Sequence, residues 1–222
     1  MRTFSRVYGV VAVLGLVSTT ACLQKEVTHT IYISPANVTW SAFEKDVRSD
    51  DPDPATQMME EQDYILGARA GQHGVARSLR ALDATRLDTT ILRRERPFTV
   101  VTDAQFVDLA ALASAMMKAA RVRGEASIER NGCERTFRAW IAAEESGDDA
   151  PGPLAELMSE ATAYRLVLTS GRFLRAEGFT IEHEGAMAVP GTPATGDDDV
   201  MRVSLTWSEG WCAPQAGPGV SR

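Results

Sequence analysis

The sequence predicts an α+β domain: a largely antiparallel curved sheet packed against two or three helices. Three observations predict it. Runs with the apolar–polar alternation of strands stand near both ends of the chain, at 27–33 and 201–208. Only a few stretches carry helical spacing, and they do not alternate with strands at the regular interval of a βαβ series. An Asn131-Gly132 step lies between two strand-like runs, the strongest short-range signal for a hairpin.

The elements follow in order. Residues 27–33 alternate aromatic and β-branched types with polar ones. Pro35-Ala36-Asn37 is a turn, and 38–47 is the hairpin partner. Asp50, Asp51 and Asp53 break the pattern; Asp51 or Asp53 sets the following helix start, near Ala55. Met58, Met59, Gln62, Ile65 and Leu66 form that helix's stripe. Gly67, Gly71 and Gly74 thin or split it before Val75, Leu79 and Leu82 resume. Strands at 85–92 and 98–102 are separated by Pro97. Asp103 is expected to cap a helix running to Val122, with Phe106, Leu109, Ala110, Ala113, Met116, Met117 and Ala120 buried. Strands at 126–129 and 135–142 flank the Asn-Gly turn. An acidic loop at 144–153 and a short helix at 154–163 come next, then strands at 164–168 and 173–182 and a Pro/Gly/Asp loop at 189–199. The last strand places Met201, Val203, Leu205 and Trp207 on one face and Arg202, Ser204, Thr206 and Ser208 on the other. Trp40, Trp140, Trp207 and Trp211 are expected in or near strands, as core.

The leader is distinctive. Arg2 and Arg6 precede an apolar run at 7–17, and Ser18-Thr19-Thr20-Ala21-Cys22 follows. The run is shorter than the ~20 residues needed to span a bilayer, so it reads as a secretory signal. Thr19-Thr20-Ala21-Cys22 resembles the lipobox of bacterial lipoproteins, although Thr19 stands where leucine is usual. That resemblance implies cleavage before Cys22, a diacylglycerol thioether on its sulfur and an acylated amino terminus, palmitate among the acyl groups. The alternative is an ordinary signal cut after Ala21, with Cys22 left as a thiol. Leu23 is not the aspartate associated with inner-membrane retention, so the resemblance favours an outer membrane facing the periplasm in a diderm organism. The chain is also similar to uncharacterised bacterial lipoproteins with compact α+β domains, a similarity that supplies no active residue. The expected organisation is a signal at 1–21, a lipidated terminus and short tether at 22–26, one α+β domain at 27–212 and a disordered tail at 213–222.

The chain has three Cys, an odd count for a secreted protein. Lipidation of Cys22 explains it and leaves Cys133 and Cys212 to pair in an oxidising compartment; two separate thiols are the alternative. Net charge is −7, and loss of Arg2 and Arg6 lowers it further. This acidic balance opposes a nucleic-acid partner. The densest basic cluster is Arg93, Arg94 and Arg96, interrupted by Glu95. It reads as salt-bridged surface at a bend or as an interaction patch for acidic lipid headgroups or an envelope protein.

No catalytic, cofactor or metal set emerges. Gly67, Gly71 and Gly74 lack the dinucleotide-binding spacing and context. No Gly-x-Ser-x-Gly elbow occurs, and Thr169-Ser170-Gly171 reads as a turn. His29, His73 and His183 have no ligand spacing. Glu182, His183 and Glu184 diverge if they lie on a strand, and Asp197-Asp198-Asp199 lacks the EF-hand pattern. The sequence therefore predicts a membrane-anchored, non-enzymatic envelope lipoprotein with a structural or protein-docking role. The alternative is a module that binds a lipid or other apolar ligand, with Met116 and Met117 on the cavity wall. A pocket of about 300 Å³ or more under the sheet favours the binder; a solid core with an exposed apolar patch favours docking.

Overall fold

A computed structural model of the chain describes residues 23–142, 161–192, 194–195 and 200–210. The leader, Cys22, Trp211, Cys212, the acidic loop at 144–153, most of the helix expected at 154–163, Asp197-Asp198-Asp199 and the tail lie outside the described residues.

Strands β1 (Leu23–Ile33) and β2 (Val38–Ser49) form the expected antiparallel hairpin. Its turn is held by Ser34: the backbone N–H donates to the Asn37 carbonyl at 3.0 Å, and Oγ accepts from the Asn37 N–H at 3.0 Å. β1 begins at Leu23, within the segment expected to be a tether. Helices α1 (Pro54–Arg69) and α2 (Gly74–Ala81) follow. Asp53 caps α1 by accepting from the Thr56 N–H at 3.1 Å. Gly71, at φ +61, breaks the helical run between them. Strands β3 (Arg86–Arg93) and β4 (Phe98–Phe106) pair antiparallel, and β4 continues onto β2. Helix α3 (Leu109–Ala120) leads to the β5 (Arg123–Asn131) and β6 (Glu134–Ala142) hairpin. The chain continues with β7 (Ala161–Leu168), β8 (Arg172–Glu177), β9 (Phe179–Glu182), a 3-10 turn at His183–Gly185, β10 (Met187–Pro190), β11 (Ala194–Thr195) and β12 (Val200–Ser208).

The α+β, mainly antiparallel character holds, but the strands make two sheets rather than one. The larger has the order β3-β4-β2-β1-β7-β10-β9, and its β1–β7 pair is parallel. The smaller has the order β11-β12-β6-β5, with β8 also paired to β12. The run at 173–182, expected as one strand, is split by Gly178 at φ +76, and its halves join different sheets. The main core lies between the sheets and includes Trp40, Leu79, Leu112, Phe137, Leu205 and Trp207.

Four further expectations change. Asp103 is not a helix cap. Thr102, Ala104 and Phe106 are buried in alternation, so strand spacing runs on through it, and Asp108 caps α3 by accepting from the Ala111 N–H at 2.8 Å. Most of the stripe on α1 faces outward: Glu61, Tyr64 and Ala68 are buried and Ile65 packs beside them, whereas Met58, Met59, Gln62 and Leu66 are exposed. Residues 161–163, expected as the end of a helix, belong to β7. Met201 is exposed and Thr206 is buried, where its hydroxyl meets that of Thr136 at 3.1 Å. The alternation on β12 is therefore blurred: Leu205, Thr206 and Trp207 are buried in succession.

Candidate functional site

The inward face of the larger sheet is built from Ile31, His29 and Val27 on β1 and from Trp40, Ala42 and Glu44 on β2, which sit opposite them in register. Tyr164 and Leu166 on β7 extend the same rows, because they pair with His29 and Ile31. This face divides into two regions.

Over the first region lies an apolar cavity of about 380 Å³. Ile31, Trp40, Tyr164 and Leu166 form one wall. Phe137, Ala139, Ile141 and Val203 of the smaller sheet form another, and Leu112, Ala113, Met116 and Met117 of α3 close it. Phe179 and Pro190 bound one side. Arg165 also borders the void, but it alternates with Tyr164 and Leu166. Its side chain is therefore on the opposite sheet face, where Nε donates to Thr30 Oγ1 at 2.8 Å. No charged side chain among the described residues thus points into the cavity.

The packing of α3 makes the void possible. Arg121 ends the helix in the left-handed region, at φ +55, and the Val122 N–H donates to the Met117 carbonyl at 3.1 Å. Met117 then lies directly on Gly124. A Cβ there would fall 2.4 Å from both the Met117 sulfur and the Trp140 carbonyl oxygen.

Polar side chains near the cavity pack against one another in its wall. Trp40 Nε1 donates to His29 Nδ1 at 2.9 Å, which places the imidazole proton on Nε2. The Tyr164 ring stacks on His29 with centroids 4.9 Å apart. Burial pushes the Tyr164 hydroxyl up to about 12, so it stays a neutral phenol.

Over the second region α1 and α2 cover a buried charged network. Glu44 is fully buried and accepts from Lys25 Nζ at 3.0 Å. His73 Nε2 lies 3.0 Å from the other Glu44 oxygen and 3.1 Å from Thr102 Oγ1. His73 occupies the cap position of α2 without a side-chain cap bond, because its ring is turned toward Glu44 instead. Burial pushes the Glu44 carboxyl up, but the hydrogen bond with His73 and the charge of Lys25 outweigh it and hold the group below its ordinary value.

Other residues singled out from sequence stay apart. Arg96 is spent on the fold: Nε donates to Glu61 Oε1 at 2.8 Å, and Nη2 donates to Gln57 and to the Ser49 carbonyl. Arg93 and Arg94 are exposed beside it. Cys133 is in the two-residue β5–β6 loop with Gly132, at φ +58, so Asn131 closes the strand and is not the turn centre. Glu182, His183 and Glu184 are all exposed. No grouping of three metal-ligating side chains occurs among the described residues, and no helix among them is long and apolar enough to cross a membrane.

Sequence reasoning placed Met116 and Met117 on a possible cavity wall but missed Ile31, Leu112, Phe137 and Tyr164, whose meeting is set by tertiary packing. It also missed the Glu44 network. A signal existed: Trp40, Ala42 and Glu44 share one strand face, so a carboxylate had to be paired inside.

No family model matches the chain, and no curated protein does. The NMR structure of the folded domain of LppM from Mycobacterium tuberculosis aligns over 84% of this chain and 90% of that one, at 16% identity and a TM-score of 0.35. At that identity and score the likeness carries no argument about fold or function.

Proposed function

We propose that the protein is a non-enzymatic envelope lipoprotein, anchored through Cys22, whose folded body holds a single-chain apolar ligand between α3 and the two sheets. The observation that carries the binding role is the cavity of about 380 Å³ with apolar side-chain walls. Its size is at the lower end of the ~300–1,000 Å³ typical of ligand pockets, which suits one acyl chain or one small ring system better than a two-chain lipid. Met116 and Met117 give the wall a polarizable, adaptable surface. The anchor rests on the resemblance of 19–22 to a lipobox and brings the cavity close to a supply of acyl chains.

The reading includes a Cys133–Cys212 bridge. It is supported by the Glu209 N–H, which donates to the Cys133 carbonyl at 3.0 Å and brings the chain just before Cys212 alongside the β5–β6 loop. Cys133 is also engaged rather than a free thiol.

Mass spectrometry of the full protein purified from membranes tests these points together. Native spectra are expected to carry one non-covalent lipid mass that disappears on denaturation. Denatured spectra are expected to show an acylated Cys22 terminus, and non-reducing digests to join Cys133 to Cys212. A body that is ligand-free and takes up no fatty acid on titration would sink the binding role, whatever the state of Cys22.

A further inference from the structure

Two observations meet at one end of the larger sheet. First, Leu23, next to Cys22 in the chain, pairs with Ser49 and packs into a small cluster with Val47, Tyr64, Ala68 and Phe98, directly under α1. Second, of the seven large hydrophobic side chains exposed among the described residues, four are at this end: Met58, Met59 and Leu66 on α1, and Leu92 on the β3–β4 hairpin. Met58, Met59 and Leu66 are 67%, 58% and 52% exposed, far more than a helix needs when its stripe is used for the core.

Helical geometry sorts α1 further. At about 100° per residue, Met58, Met59 and Leu66 share one outward arc with Ala55, Gln62 and Arg69, Asp63 follows about 40° beyond Met59 on the same exposed side, and Glu60 falls on the flank. Between α1 and Phe98 runs an open groove of about 570 Å³ with Met58, Ile65 and Leu66 on its walls. Arg69 lines that groove with Gln57, Glu61 and Arg96, and Arg93 and Arg94 are exposed on the β3–β4 hairpin.

We infer that the outward face of α1 and the β3–β4 tip lie against the bilayer surface beside the anchor, with Met58, Met59, Leu66 and Leu92 entering the headgroup–acyl boundary. This inference rests on the reading of Cys22 as the lipidated residue. Attachment at Leu23 holds this end, and no other, at the membrane. The contact is made by separate exposed apolar side chains rather than by an amphipathic helix, with Arg stems extending along apolar surface while their heads reach phosphate. Asp63 and Glu95 offset part of this basic charge, so the apolar contact dominates. The surface is therefore expected to engage zwitterionic lipid, and anionic lipid to add only a modest increment.

The test uses the full acylated protein in phosphatidylcholine vesicles with brominated acyl chains. Met59→Cys, Leu66→Cys and, at the far end of the sheet, Val107→Cys are each labelled with bimane; Cys133 is not a free thiol. Bimane at 59 and 66 is expected to lose most of its emission, and bimane at 107 to keep it. Unquenched labels at 59 and 66 in protein whose Cys22 is acylated would overturn the membrane surface and leave the anchor standing. Equal quenching at 107 would overturn it too, as would burial of 59 and 66 by a second copy in detergent. An unacylated Cys22 terminus, read separately by mass spectrometry, defeats the anchor itself.

Discussion

The two halves of one sheet face solve burial in opposite ways. Beneath α1 and α2, Lys25, His73 and Thr102 gather around the buried Glu44 carboxylate, and only the far ring nitrogen of His73, Nδ1, is buried without a hydrogen-bond partner among these four side chains. Beneath α3 the side chains are apolar and leave a void. A buried charge must find partners or the fold fails, so the first region is fixed by its own chemistry. Apolar walls make no such demand, and a protein interior is normally filled to near crystal density. A partly open apolar pocket of this size beside the main core is therefore the feature that folding alone does not explain. On the proposed reading, the first region serves stability and the second holds the ligand.

The largest expected effect breaks the first region without touching the second. Glu44→Gln removes the carboxylate that Lys25 and His73 face, and a buried pair broken on one side costs about 3–5 kcal/mol. Denaturant unfolding should show that loss while lipid occupancy of the remaining folded protein stays unchanged. The same residue gives a pH signature. Its folded carboxyl is held below the ordinary value of 4.5, so its contribution is complete above that value. It is lost as pH falls through the lower, folded value. The variant should lack this acid-side slope; an identical slope in both proteins would mean Glu44 is not the group that titrates.

Gly124→Ala is expected to have the next largest effect, because it acts on the seat of α3. The Met117 sulfur can swing away from a new Cβ, but the Trp140 carbonyl belongs to the β5–β6 ladder and cannot. Overpacking of this kind costs about 1–3 kcal/mol. Since Met117 is also a cavity wall, ligand affinity should fall along with stability. A stability loss with unchanged affinity would show that α3 does not define the cavity.

What could be read in the sequence divides along the same line. The β1–β2 and β5–β6 hairpins are legible because their turns are local: Ser34–Asn37 is closed by its own side chain, and Gly132 supplies the positive φ. Met116 and Met117 are legible as wall candidates from helical spacing alone. The parallel β1–β7 pair is not legible, because it joins segments far apart in the chain. The outward stripe of α1 is misread for a physical reason. Periodicity identifies an apolar face but not what it faces, and here the helix buries Glu61 and Tyr64 in order to hold Arg96 and meet His73.

The smallest expected stability effect is the most informative for the second region. Ala113 lies on the inner face of α3 and borders the void. A core substitution that adds volume usually strains its neighbours, by about 1–3 kcal/mol. Ala113→Phe instead projects a ring into space already empty, so the strain is offset by apolar surface withdrawn from water. Unfolding free energy should stay within about 1 kcal/mol of the parent, while the bound lipid mass disappears and fatty-acid uptake is lost. Glu44→Gln should show the reverse, a large loss of stability with binding intact. If both variants lose stability and binding together, the two regions form one cooperative core and the void is a packing defect; if they separate, the cavity exists for an occupant.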